Sequence, residues 1–238
     1  FLILFCGLGA VLFCACGRAA APARPVSRDC AVSWENGKTI AATFISPPSG
    51  GSNPPGVLLI HGEDNHHAIW NDFAERLAAE GFDTLIPELP KDIEAATAKT
   101  LFDLLLKTLA QSGADPRNLA IAAETDSASL ALEYAVEQPA VQAVIMISPG
   151  LDYRGIDAES LIAAHKELPV LLLTSENDAY SAAAASTLKS AAMGFCELRA
   201  YPGSTRGADL LSVSPNAAEQ SLQWLREILM APQAPSTP

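Results

Sequence analysis

From residue 57 to residue 230 the chain alternates short apolar runs with amphipathic stretches, and that alternation leaves few folds open. The runs at 57–60, 84–86, 119–123, 141–148, 170–174 and 197–201 have strand length and, for the most part, no polar interruption, as strands covered on both faces do. Between them, 67–80, 93–111, 126–138, 157–166 and 181–192 read as helices, and 216–230 as a closing helix. In the first of these Ile69, Phe73, Leu77 and Ala78 share one stripe and Gly81 stands where a helix C-terminus turns left-handed. Asp92 is placed to cap the second. Upstream, 31–34 and 39–46 flank Asn36-Gly37, the pair that tight hairpin turns favour. A hairpin followed by repeated strand–helix units predicts an α/β fold. Its sheet is mostly parallel, with about eight strands and helices on both faces. The sequence has no internal repeat.

The two ends fall outside this pattern. Residues 1–16 are an uncharged apolar run closing in Phe13-Cys14-Ala15-Cys16-Gly17. The run is short for a membrane span and fits the hydrophobic part of a secretory signal. Its end is similar to a bacterial lipobox, which makes Cys16 the candidate for lipidation and the membrane the expected partner. Residues 17–28 read as an extended Pro/Ala tether with Arg18, Arg24 and Arg28 and no acid. The chain carries 15 basic and 27 acidic residues, and without those three arginines the remainder stands at −15. An acidic body excludes nucleic-acid binding, and no basic patch interrupts it. Residues 231–238 read as a disordered Pro-rich tail, leaving 29–230 as one domain, expected to be monomeric. Of five cysteines, Cys30 and Cys196 fall in that domain, towards opposite edges of the expected sheet, so no disulfide is expected.

Five segments in order carry a resemblance. Val57-Leu58-Leu59-Ile60-His61-Gly62 looks like a strand followed by an "HG" loop, and Ala74 to Phe82 like the helix after it. Ile147-Ser148-Pro149-Gly150-Leu151-Asp152-Tyr153-Arg154-Gly155, the stretch from Pro169 to Asp178, and Tyr201-Pro202-Gly203-Ser204-Thr205-Arg206-Gly207 complete the set. Together they resemble the α/β-hydrolase superfamily, near dienelactone-hydrolase-like and esterase-like lipoproteins, over roughly residues 32–230. The resemblance implies a three-layer α/β-hydrolase fold, no cofactor, and residence in the bacterial envelope on the periplasmic or outer-membrane side. It also implies a catalytic triad, with the nucleophile on a strand–turn–helix of pattern G-x-S-x-G. Here that pattern reads Ala123-Glu124-Thr125-Asp126-Ser127. By position Thr125 stands for the nucleophile, Asp178 for the acid and Arg206 for the base. The oxyanion-hole donors would be the backbone N–H groups of Glu63 and Asp126.

Those substitutions oppose ester hydrolysis. A β-branched Thr is a poor occupant of the elbow's positive φ. A guanidinium cannot accept the nucleophile's proton, although Arg206 could pair with Asp178 instead. Glu63, Asp64, Glu124 and Asp126 would surround a site where negative charge must develop. Asp64 and Glu124, with His61, His66 and His67, form the expected rim. The leading expectation is a tethered α/β-hydrolase-fold protein without its triad, a binding or interaction module for an unidentified ligand. Two alternatives stay open. One is an active carboxylic-ester hydrolase using Thr125 or a neighbour, with a base such as His66 or His67. The other is metal binding through His61, Glu63, Asp64, His66 and His67, whose spacing matches no helix-borne zinc pattern.

Overall fold

The structure, a computed structural model, describes residues 23–34, 37–48, 53–63, 66–91 and 93–230. The signal-like segment with Cys16, most of the tether, Asn36, Asp64, the Asp92 cap and the tail lie outside the described residues.

The expected sheet is present. Strands β1 (Val26–Ser33) and β2 (Thr39–Ser46) pair antiparallel, and β2 joins β4 (Asp83–Pro87) antiparallel. From β4 onward all pairings are parallel, through β3 (Gly56–Ile60), β5 (Leu119–Glu124), β6 (Val141–Ile147), β9 (Val170–Ser175) and β10 (Cys196–Tyr201). The order across the sheet is β1-β2-β4-β3-β5-β6-β9-β10. Strand β1 begins at Val26, inside the stretch read as tether.

Alternation along the strands feeds two cores. Leu58 and Ile60 of β3 face α2 (Ala95–Ser112), α3 (Thr125–Ala135) and α5 (Ala179–Ala191), where the Phe102 and Tyr134 rings meet edge-on at 5.3 Å. Val57 and Leu59 face α1 (Asn71–Ala79) and α7 (Pro215–Leu229), with Trp70 and Trp224 fully buried. The period-2 geometry of a strand produces both faces from one apolar run. Local chemistry ends the helices. Ser214 caps α7 by accepting the Ala217 N–H, ahead of Pro215 in the first turn, and Asp178 caps α5 by accepting the Ser181 N–H.

Three local features differ from expectation. The helix read at 67–80 is a 3-10 turn, His67–Trp70, leading into α1. Residues 152–157 form a small hairpin, β7 (Asp152–Tyr153) with β8 (Ile156–Asp157), whose turn puts Arg154 at φ +50° and Gly155 at +84°. Positive φ at both central residues is the turn that strand twist prefers. Helix α4 (Ala158–Ala164) follows, and α6 (Asp209–Val213) precedes α7. As expected, Cys30 and Cys196 sit on the opposite edge strands and are free thiols.

Asp83, at the start of β4, is only 3% exposed, and burial pushes its carboxyl up to about 6, partly offset by the Arg28 charge. A raised folded-state value means the unfolded chain releases this proton first. The contribution is therefore fully present below about pH 4 and is lost as pH rises to about 6. Asp83→Asn is expected to stabilise the protein by on the order of 2 kcal/mol at pH 7.5 and by nothing near pH 4. Denaturant melts of both proteins at the two pH values check this.

Candidate functional site

The C-terminal end of β5 runs directly into α3, and the joint is Thr125, at φ +51°. For a β-branched residue this is a strained backbone, and it is what a nucleophile elbow requires. The neighbouring loop accommodates it because Gly62 has no side chain. A Cβ there would overlap Thr125 Oγ1 and approach Asp126 Oδ1 to 2.9 Å. Gly207, at φ +67°, likewise lies against Glu124. Ser127, in place of the second glycine of the elbow pattern, is buried and donates to the His61 carbonyl at 2.8 Å.

A cleft of about 490 Å³ opens above the elbow, lined by Glu63, Glu124, Thr125, Asp126, Arg206 and Asp209, with Gly62 and Gly207 at its walls. Four acids and one base therefore face one space. The Thr125 hydroxyl donates to Asp126 Oδ1 at 2.6 Å. The Asp126 carboxylate also receives the Glu63 backbone N–H, at 3.3 and 3.2 Å. One of the two expected oxyanion-hole donors is thus already bonded to an internal carboxylate.

Arg206 lies beside Asp178, but loosely. Its Nε is 3.9 Å from Asp178 Oδ2, and its guanidinium stands 5.8 Å from the Tyr180 ring centre. Among the described residues Asp178 Oδ2 is enclosed without a hydrogen bond. The expected pairing exists as an ion-pair contact rather than as a substitute for the His–Asp hydrogen bond.

The rim residues part company. Glu124 lines the floor of the cleft rather than its rim: it is 1% exposed and accepts the Gly62 N–H at 3.0 Å and the Ala208 N–H at 2.5 Å. It is tied inward because two loop N–H groups need an acceptor there. His61 is structural: its Nδ1 meets the Gly62 carbonyl at 2.7 Å and its Nε2 accepts the Leu89 N–H at 2.9 Å. The tautomer with the proton on Nδ1 satisfies both. His67 is hydrogen-bonded to Glu88 through both its ring and its backbone. Burial raises the Glu88 carboxyl, but these bonds and the nearby imidazoles outweigh it and leave it below its ordinary value. His66 is exposed. Among the described residues no group of three or more His, Cys, Asp or Glu could hold an ion, and both His61 ring nitrogens are already occupied by backbone groups.

Several contributors were not anticipated from sequence. Tyr153 and Arg154, at the β7–β8 turn, both bind Glu63 Oε1, Arg154 at 2.7 Å, and Arg154 also reaches the Ile93 carbonyl at 3.2 Å. Burial, the bond to Glu63 and the Asp126 charge push the Tyr153 hydroxyl well above its ordinary value. Ser148, at φ +50°, accepts the Gly207 N–H at 2.9 Å. Asp209 adds the fourth acid. The only sequence signal for the first pair was the Tyr-Arg-Gly after β6.

The architecture is that of the α/β-hydrolase fold, with a positive-φ turn between β5 and α3 and the His61-Gly62 loop beside it. No family model matches the chain, and no curated protein matches it in sequence. Solved structures do. Dienelactone hydrolase from Anabaena variabilis superposes with TM-score 0.67 at 19% identity, over 87% of this chain and 98% of that one. A bacterial heroin esterase gives 0.71 at 17% identity, over 86% and 84%. An esterase from Pyrobaculum calidifontis gives 0.65 at 15% identity, over 86% and 85%. The chain thus has the fold of dienelactone hydrolases and esterases.

Proposed function

We propose that this protein is a non-hydrolysing member of the α/β-hydrolase fold, tethered to a bacterial membrane through lipidated Cys16. Its elbow cleft would bind a small cationic or polar ligand. One observation carries the reading: the Thr125 hydroxyl donates a hydrogen bond to Asp126, whose carboxylate at the same time accepts the Glu63 N–H. An ester carbonyl entering the cleft finds that donor taken and a negative charge beside it, which raises the transition state that the fold elsewhere stabilises. Arg206 supplies no base. The acids at the cleft favour a cation for the same electrostatic reason that they disfavour an oxyanion. The tether rests on the lipobox-like end of residues 1–16. No described helix is long and apolar enough to cross a membrane.

The 2.6 Å contact between Thr125 and Asp126 also favours a second reading, in which the carboxylate serves as the base of a weak esterase. Hydrolysis of short-chain activated acyl esters separates the two. The native protein and Thr125→Ala are expected to show the same background rate. Native activity that disappears in Thr125→Ala would establish the esterase instead.

A further inference from the structure

The opposite end of the sheet, away from the elbow, holds a second pocket with a charge arrangement of its own. We propose that the cavity edged by β1, β2 and β4 binds a small zwitterion of the α-amino-acid type, with Arg28 taking its carboxylate and Asp83 its ammonium group.

The cavity has about 220 Å³, room for one small molecule or a few waters. Its walls include Val26, Phe44, Pro47 and Pro54, which suit a short aliphatic side chain. The sheet register places the charges. Arg28 pairs with Phe44, and Phe44 with Leu85. Asp83 lies two residues before Leu85 and so shares its face. The Arg28 guanidinium stacks over the Phe44 ring at 4.4 Å from its centre, which aims it across the strand toward the cavity.

Asp83 is the informative group. The residue is 3% exposed, its carboxylate opens on the cavity, and among the described residues no side-chain hydrogen bond to it is seen. It lies so close to Gly113 that a Cβ there would come within 2.9 Å of Oδ2. Arg28 lines the same cavity, and the two form no ion pair. A largely desolvated carboxylate without a protein donor costs stability, and burial accordingly raises the proton affinity of this one. Such groups persist where they serve a site. A plain cation would be attracted by Asp83 and repelled by Arg28, and a plain anion the reverse. A ligand carrying both charged groups on one carbon satisfies both side chains and fills the gap between them.

The test is calorimetric titration of the full chain with L-valine. Isobutylamine and isovalerate, which each keep one of its charges, serve as comparisons. Saturable valine binding is expected, at least tenfold tighter than either analogue. It should weaken at least tenfold in Asp83→Asn and in Arg28→Met, and be unchanged in Asp126→Asn at the elbow cleft. Asp83→Asn is expected to melt no lower than the native protein at pH 7.5, so unfolding does not account for its loss of binding. Absence of saturable valine binding, binding that survives either substitution, or equal binding of one single-charge analogue would overturn the proposal.

Discussion

The triple substitution Thr125→Ser, Asp126→Ala and Arg206→His is expected to raise hydrolysis of a short-chain activated ester at least about a hundredfold above the native protein, on the scale that a positioned base contributes. The fold already supplies the scaffold. Thr125 stands on the strained elbow at φ +51°, and Asp178 is held as the cap of α5 with Oδ2 left without a hydrogen bond. A histidine at 206 would find that oxygen waiting for its N–H, the contact that orients the imidazole in a working triad. Serine removes the β-branch that strains the elbow. The third substitution tests the blocking role of Asp126. Its carboxylate holds the Glu63 N–H at 3.2 Å and the hydroxyl of residue 125 at 2.6 Å. Thr125→Ser/Arg206→His alone should therefore fall short of the triple variant by about ten- to a hundredfold, given what one oxyanion donor is worth. Measuring kcat/KM for the native, double and triple proteins side by side checks this. Equal rates for double and triple would show that Asp126 does not block the site.

Much of this was legible in the sequence, for identifiable reasons. Strands such as 57–60 and 119–123 are apolar on both faces, and only a sheet covered by helices on both sides explains such runs. The elbow was legible because Ala123 to Ser127 keeps its place between a strand and a helix even with its nucleophile changed. What escaped was set by partners distant in sequence. Glu124 read as a rim acid, since charged residues are seldom fully buried. Its environment comes from Gly62 and Ala208, on loops far along the chain. The β7–β8 turn lacks the usual Asn-Gly signal. Arg154 holds its left-handed conformation while its guanidinium is anchored on Glu63 and the Ile93 carbonyl. Asp83 falls outside the strand read at 84–86, and its burial comes from packing against Gly113, a neighbour distant in sequence.

Replacing Glu124 with Leu is expected to be the most damaging single substitution at the elbow for stability, lowering it by roughly 3 kcal/mol or more, which follows from orphaning two buried donors at about 1–3 kcal/mol each. Leucine keeps most of the volume, so the loss isolates the hydrogen bonds from any cavity. The two donors, Gly62 N and Ala208 N, belong to the HG loop and to the segment after Arg206. Glu124 thus ties together two loops above the end of β5. Gly207 packs directly against it. For a domain of this size the loss corresponds to a fall in Tm of about 6–12 °C. Hydrogen exchange at the Gly62 and Ala208 amides should accelerate along with it. Glu63→Leu at the same cleft should cost far less, because the Glu63 and Arg154 side chains are each about a third exposed. Thermal melts of the two variants decide the matter. If Glu63→Leu proves as damaging as Glu124→Leu, the cleft is held together by its charges rather than by the buried carboxylate between its loops.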